Sequence, residues 1–432
     1  MMGGGMNPLF YAVIIITLVF SCSAARADEK NGEVEDLRER VERLEEMVKE
    51  EKAVAEPGHR LHPVHSLYGL KISGGITITA QGLEGPDDNP GGAAAISGDL
   101  YLESPVGEAG WAAAVFDMQR GPGIEGLTLF TSPNGNTTGT NADIESFNDT
   151  SVHLTQLYYE HSLLSDRFKV TVGQLDPTAY FDTNGLANDE RTQFLANAFV
   201  NNPAVEFGGS DDFYSPGVNL FLSLNETFDL TIGVFEGDGD YADSFDNPFV
   251  MAEAAVRINP LGRPGNYRLY YWLRKERPDS SIENLADPTD PALAKAENKG
   301  LGISLDQYLS DSVGVWLRAG VQREKVAQFG GFMGGGVDVA GSFVKRANDN
   351  MGVAYGATFM GDDYEAFKRA STPGFDASTE HYIELYYSMA VNSPTDLVGF
   401  NISPDLQYVI NPGGDSAADK IFIYGVRLQA DF

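Results

Sequence analysis

Lys420 to Phe432 reads KIFIYGVRLQADF, and its alternation decides the fold. Phe422, Tyr424, Val426, Leu428, Ala430 and Phe432 share one face, while Arg427, Gln429 and Asp431 share the other. Successive side chains of a strand point to opposite sides, so this spacing predicts a β-strand with one apolar and one polar face.

The same period of two recurs upstream. Val250, Ala252, Ala254, Val256 and Ile258 form an apolar row with Glu253 and Arg257 opposite. Tyr267, Leu269, Tyr271 and Leu273 alternate with Arg268, Tyr270, Trp272 and Arg274, and Val313, Val315, Leu317, Ala319 and Val321 alternate with Trp316, Arg318 and Gln322. Segments of about ten residues with this pattern, separated by turn residues, are the signature of transmembrane strands.

The connections carry further information because short and long ones alternate. Short turns are expected at Ser104 to Ala109, Leu164 to Asp166, Asn225 to Thr227, Pro260 to Gly265, Ser310 to Asp311, Arg346 to Asp349 and Asn392 to Asp396. Longer polar loops are expected at Leu83 to Gly92, Gly121 to Thr150, Pro177 to Tyr214, Gly237 to Asn247, Pro278 to Asn298, Arg323 to Phe332, Gly361 to Ser378 and Asn411 to Asp419. An up-and-down barrel with periplasmic turns and outer loops has this parity, whereas a sandwich has no reason to keep it. The expected fold is all-β, an antiparallel transmembrane β-barrel of about sixteen strands over residues 69–432, wide enough for an aqueous lumen. Both chain ends then lie on the periplasmic side.

Upstream of the barrel, Phe10 to Phe20 (FYAVIIITLVF) is too short an apolar run to span a bilayer and is followed by Ala25-Arg26-Ala27, so residues 1–27 are expected to be a cleaved signal peptide. The single cysteine, Cys22, falls inside it; lipid attachment there is the alternative, disfavoured by the bulk of Phe20. Residues 28–54 carry Val34, Leu37, Val41, Leu44 and Val48 in a 3,4 repeat, with Arg40 and Glu45 placed to pair between helices, which predicts a short coiled coil. Residues 55–68 are expected to be a linker, and His59, His62 and His65 within it are read as solvated rather than metal-binding.

A formal net charge of -32, from 30 Lys+Arg against 62 Asp+Glu, excludes nucleic acid as a partner and argues against anion selectivity. Asp238, Asp240, Asp243 and Asp246 do not follow a calcium-loop spacing and are read as solvated loop charge. No nucleophile, metal-protease or phosphate-loop motif occurs, and His153 and His161 read as polar strand residues, so no enzymatic activity, cofactor or metal is expected.

Gly173 to Pro203, GQLDPTAYFDTNGLANDERTQFLANAFVNNP, resembles the carbohydrate-selective porin family: the G-x-x-D-P strand end, the Tyr-Phe-Asp element, the Phe194-Leu195 pair and the Asn-Pro exit are its marks. Asn411-Pro412-Gly413-Gly414 and the closing Gly425 to Phe432 are similar to the end of that family's barrel. The resemblance implies a sixteen-stranded outer-membrane porin of a Gram-negative-type bacterium that passes small sugars by passive diffusion. The terminal aromatic, Phe432, resembles the signal read by the barrel assembly machinery. Expected partners are therefore small sugars, outer-membrane lipid and that machinery, and a homotrimer is expected, although valines at a with leucines at d nominally favour dimers and so short a seam specifies stoichiometry poorly. The alternatives are a general cation-preferring pore carrying ion transport, or a structural barrel tethered in the periplasm through its coiled coil.

Within the Pro177 to Tyr214 loop, Leu186 to Phe199 has Leu195 and Phe199 at helical spacing, and a loop of this length is expected to fold inward as a constriction bearing Asp189, Glu190, Arg191 and Phe194. Lumen-phase Glu253, Arg257, Arg268, Arg274 and Arg318 are candidates to bond sugar hydroxyls, and Trp272 and Trp316 to stack on pyranose faces. The bland alternative puts the tryptophans in the interfacial girdle.

Overall fold

A computed structural model of the chain describes residues 65–67, 69–85, 92–121, 123–124, 127–135, 151–207, 214–237, 245–277, 285–341, 346, 348–391 and 398–432. The signal peptide, the coiled coil, Cys22, His59, His62, Asp238, Asp240 and Asp243 lie outside the described residues.

The strands are β1 His65–Leu67, β2 Leu70–Glu84, β3 Gly92–Val106, β4 Gly110–Arg120, β5 Ser151–Leu163, β6 Phe168–Leu175, β7 Ser215–Ser223, β8 Phe228–Glu236 and β9 Pro248–Ile258. They continue with β10 Gly265–Arg274, β11 Asn298–Tyr308, β12 Val313–Gln322, β13 Phe329–Ala340, β14 Asn350–Met360, β15 Glu380–Val391, β16 Gly399–Ile410 and β17 Ile421–Asp431. Each of β2 to β17 pairs antiparallel with the next, and β17 returns to β2, closing sixteen strands into a barrel. β1 is a spur paired only with the start of β2, from His65 opposite Ile72 to Leu67 opposite Leu70. The expected linker therefore gives way to paired strand before its predicted end at residue 68.

Closure rests on the segment that fixed the fold. β17 pairs with β2 from Phe422 opposite Glu84 to Asp431 opposite Gly75. Phe432 adds a last rung: its N–H donates to the Gly74 carbonyl at 2.9 Å and its own carbonyl accepts from the Gly74 N–H at 3.0 Å. The Phe432 ring lies over Gly74, where a Cβ would approach it to 2.8 Å. The aromatic thus covers the bare backbone of an outward-facing glycine at the seam.

The period-two reading holds around the wall. Leu269, Leu301 and Val321 are half-exposed on the outside, at 57%, 50% and 57%, while Thr77, Ser304, Arg318 and Arg427 point inward and are buried. An apolar exterior with a polar interior inverts the soluble pattern and fits a wall bathed in lipid. Among the described residues no helix is long and apolar enough to cross a membrane.

Three local expectations are corrected. The connection expected at Arg323 to Phe332 is only residues 323–328, shorter than the turn at residues 341–349, so length parity fails there although the order of turns and loops is kept. Neighbouring loops cover this tight turn, burying Val326 and Ala327, and Arg277 donates to the Val326 carbonyl. The helix expected over Leu186 to Phe199 is a single turn, α1 Asn197–Val200. Two helices were not anticipated: α2 Pro291–Ala294, and α3 Asp362–Ser371, with Asp362, Asp363 and Glu365 in its first turn, Lys368 and Arg369 in its last, and a Glu365–Arg369 pair at 2.8 Å.

Gly74→Val places branched carbon against the Phe432 ring and should cost about 1–3 kcal/mol. Denaturant unfolding of the refolded barrel in detergent, beside Gly399→Val, whose Cβ would meet open space at an ordinary strand φ, checks this: equal loss in the two variants removes the seam from the explanation.

Candidate functional site: the loop folded against the inner wall

The described part of the connection from β6 to β7, residues 176–207, turns into the barrel and is held there by inward side chains of the wall. It starts with Pro177 behind Asp176, whose carboxylate accepts from the Thr178 N–H at 2.8 Å. Asp182 then ties both ends of the loop to three strands. Its carboxylate accepts from the Asn202 N–H at 2.7 Å, the Tyr270 hydroxyl at 2.7 Å and Arg318 Nε at 2.9 Å. Its N–H donates to Glu253 at 3.0 Å and its carbonyl accepts from Arg318 Nη2 at 2.8 Å. Both side chains of the Asp182–Arg318 pair are fully buried, so removing one partner leaves the other charge uncompensated.

Further along, Gln193 accepts from the Asn188 and Asp189 N–H groups at 2.7 and 3.1 Å. Glu384 accepts from the N–H groups of Leu195 and Ala196, and Arg427 donates to the carbonyls of Glu190 at 2.6 Å and Gln193 at 2.8 Å. These contacts explain the missing helix: the wall satisfies the backbone groups that helical turns would otherwise pair. The described part of the β4–β5 loop lies alongside, with Gly135 N–H donating to the Leu195 carbonyl at 2.7 Å and Asn197 N–H to the Ser132 carbonyl at 3.0 Å.

Apolar packing completes the anchorage. Phe194 meets Tyr386 edge-on at 4.9 Å and Trp316 at 5.6 Å, and Phe199 meets Trp316 at 5.8 Å and Tyr382 at 5.9 Å. The wall beneath is glycine: an added Cβ would strike Leu186 at Gly314, Asn202 at Gly320, Phe194 at Gly352 and Phe199 at Gly356. Bare backbone on the inner face gives the loop its seat.

The residues named from sequence fall into four groups. Phe194 is in the buried cluster, while Asp189, Glu190 and Arg191 are at the edge of the loop, where Arg191 pairs with Asp189 at 3.3 Å and reaches across to Asp99 on β3. Glu253, Arg268, Arg274 and Arg318 do face inward, but as structural groups: Arg268 bonds Asp306 at 2.9 Å, and Arg274 donates to the Glu206 and Phe207 carbonyls at 2.8 Å. Trp272 and Trp316 are neither sugar platforms nor girdle residues. Trp272 is buried with its N–H on the Ala204 carbonyl at 3.1 Å, and Trp316 lies under Phe194 and Phe199. The seventh, Arg257, sits at the short-turn mouth in a pair with Asp229 at 2.9 Å.

What the sequence reading missed lies on β3, two strands from β17. Asp99 and Tyr101 on β3 share the inward phase and approach Arg191; Tyr214 is in electrostatic reach of Asp99, Asp117 and Asp176. The same alternation that selected Trp272, applied to β3, marks both residues. Asp99, Asp189 and Arg191 retain 20%, 18% and 14% side-chain exposure, so this edge meets water. No group of three or more residues fit to hold a metal ion occurs among the described residues.

Comparison with known proteins agrees with this geometry. Residues 110–432 match the carbohydrate-selective porin, OprB family. The chain belongs to this family. It is an outer-membrane porin, and its fold is that of a channel. The porin is similar to the high-pH structure of Pseudomonas putida OprB, 16% identical with a TM-score of 0.66 over 84% of this chain and 94% of that one, and to the low-pH structure, 12% identical with a TM-score of 0.51 over 84% and 93%. At these identities the likeness establishes the fold. An uncharacterized protein of Aquifex aeolicus (strain VF5) is 29% identical over 189 residues, 44% of this chain and 48% of that protein, so the porin matches about half the length of this curated relative.

Arg318→Leu strands the Asp182 carboxylate, a loss of about 3–5 kcal/mol that falls on the loop's anchorage. Single-channel recording should show a larger and noisier conductance from a barrel of unchanged circular dichroism; wild-type conductance would mean that the pair does not hold the loop. At the loop edge, burial and the adjacent Asp189 charge raise the Glu190 carboxyl to about 7. It is neutral below that pH and charged above it, so cation preference in reversal potentials should climb between about pH 6 and about pH 8 and flatten in Glu190→Gln.

Proposed function

We propose that the porin passes small sugars across the outer membrane by passive diffusion, and that residues 176–214 form the constriction they cross. The observation that carries this reading is the loop's mixed-sign edge, where Arg191 stands between Asp189 on its own segment and Asp99 on the facing wall. Donors and acceptors side by side suit hydroxyl groups, which both give and take hydrogen bonds. Such an edge offers a neutral polyol many partners without the strong binding that a single-sign field gives an ion.

The excess of carboxylates there, Asp99, Asp189 and Glu190 around Arg191, supports passage of small cations as a second capacity of the same pore. Recognition of Phe432 by the barrel assembly machinery and assembly as a trimer belong to the same reading; the aromatic end at the barrel seam supports the first. Catalysis has no place in it.

Swelling of liposomes bearing the full-length protein tests the proposal. Glucose should enter well above the rate of protein-free vesicles, larger oligosaccharides progressively more slowly, and Arg191→Gln with Asp99→Asn should alter the ranking of sugars more than it alters potassium chloride conductance. Vesicles that conduct salt and admit no sugar would leave only an ion pore, and vesicles that pass neither would leave a structural barrel.

A further inference from the structure

Beneath the loop two carboxyl groups meet where neither is required by the wall. Glu384 on β15 and Asp405 on β16 both point inward; Tyr386 opposes Asp405 and Gln407 opposes Glu384, so the two are diagonal neighbours across one strand pair. Both are buried, and the two carboxyls lie within electrostatic reach of each other. Asp405 Oδ1 accepts from the Gln407 amide at 2.9 Å, while Asp405 Oδ2 meets no N–H or hydroxyl donor. An ionised carboxylate only accepts, so two such neighbours can bond to each other only with a proton on one of them.

The surroundings fix the charge that fits. Arg427 on β17 is the cation facing Asp405; its terminal nitrogens are committed to the Glu190 and Gln193 carbonyls and its Nε finds no acceptor. From β15 itself come the Tyr382 and Tyr386 hydroxyls, the first on Gln407 at 2.6 Å and the second on Asp338 of β13 at 2.8 Å, with Glu380 further toward the loops, held by the Phe130 and Gly413 N–H groups. The loop contributes only the Leu195 and Ala196 N–H groups. With one proton shared, the two carboxyls carry a single negative charge and Arg427 balances it. Without that proton a buried net negative charge remains, which a low-dielectric site resists.

We propose that Glu384 and Asp405 share one proton, and that Asp405 is thereby a positioning residue for the constriction: it keeps Glu384 aimed at the loop backbone. The inference rests on the loop being the constriction. Glu384 holds Leu195 and Ala196 beside Phe194, the residue seated on Trp316 and Tyr386, and Arg427 holds the same segment from the other side. Loss of the shared proton sets the carboxyls against each other; Glu384 turns toward incoming water, the two N–H bonds open and the segment lifts from its glycine seat. The pore is narrow with the proton in place and wider without it.

Full-length protein in liposomes, as wild type, Asp405→Asn and Glu384→Gln, tests this with a neutral sugar, whose flux is insensitive to the fixed charge of Glu190. Wild-type glucose swelling should rise several-fold as the pH is raised. Asp405→Asn, whose amide donates to Glu384 at every pH, should stay at the low rate, and Glu384→Gln should show no step. Amide hydrogen exchange at Leu195 and Ala196 reads the loop directly: protection should fall in the wild type at the raised pH relative to Asp405→Asn at the same pH. Glucose flux that is present but pH-independent, or a step retained by Asp405→Asn, overturns the shared-proton role and leaves the channel reading intact. Absence of glucose flux in every variant defeats the channel reading, and exchange at Leu195 and Ala196 still decides the pair.

Discussion

Lipid offers the backbone no hydrogen-bond partner, and that constraint sets the rest of the architecture. It forces the sheet to close, which the rungs from Glu84–Phe422 to Gly74–Phe432 accomplish between β17 and β2. Closure of sixteen strands leaves a lumen wider than the constriction a selective pore needs. The material that narrows it is chain, and chain carries backbone N–H and C=O groups of its own. Folding residues 176–207 into the lumen is therefore possible only because the wall answers them one by one: Glu253 for Asp182, Glu384 for Leu195 and Ala196, Arg427 for Glu190 and Gln193, Trp272 for Ala204.

The inner wall is accordingly divided by task. Glycines at 314, 320, 352 and 356 supply depth, aromatic rings at 316, 382 and 386 supply apolar contact, and carboxylates and guanidinium groups supply direction. The buried cations are arginines, Arg274, Arg277, Arg318 and Arg427, whereas Lys169 and Lys299 stay 38% and 47% exposed. A planar fork serves two or three carbonyls at once, as Arg274 does, and carries less hydration to lose than an ammonium. Lysine in those places would leave acceptors unpaired.

The barrel was legible because its signal is local. Alternation in Val313 to Gln322 or Lys420 to Phe432 is imposed by neighbours in the chain, and the order of turns and loops follows from the topology those strands must take. The loop's inward course was legible too, through its length and the apolar Phe194, Leu195 and Phe199. Its conformation was not. Helical spacing of Leu195 and Phe199 predicted a helix, but Glu384, nearly two hundred positions away in sequence, holds the backbone of Leu195 and Ala196 just ahead of the single turn that forms. The inner glycines carried the missing information: Gly314, Gly320, Gly352 and Gly356 fall on the inward phase of β12 and β14, and small residues facing inward from strands on either side of β13 mark where something bulky is seated.

The arginines and tryptophans teach the complementary point. Phase along a strand says that Trp272, Trp316 and Arg318 face the lumen, and they do. It does not say whether they face water, because the loop that covers them belongs to another part of the chain. A large polar or aromatic side chain on a wall beside small ones is better read as half of an internal interface, since an isolated ring or guanidinium group in open water has little to order it. Asp99 and Tyr101, near the centre of β3, adjoin Arg191 at the loop's edge, where Asp99 and Arg191 keep 20% and 14% side-chain exposure. Under the function proposed above, selectivity in such a pore is set by two separable terms. The anchorage of the loop fixes the width, and the pairing of Arg191 with Asp99 and Asp189 fixes the chemistry at the narrow point, so a substitution in the first group changes which sizes pass while one in the second changes which surfaces are welcome.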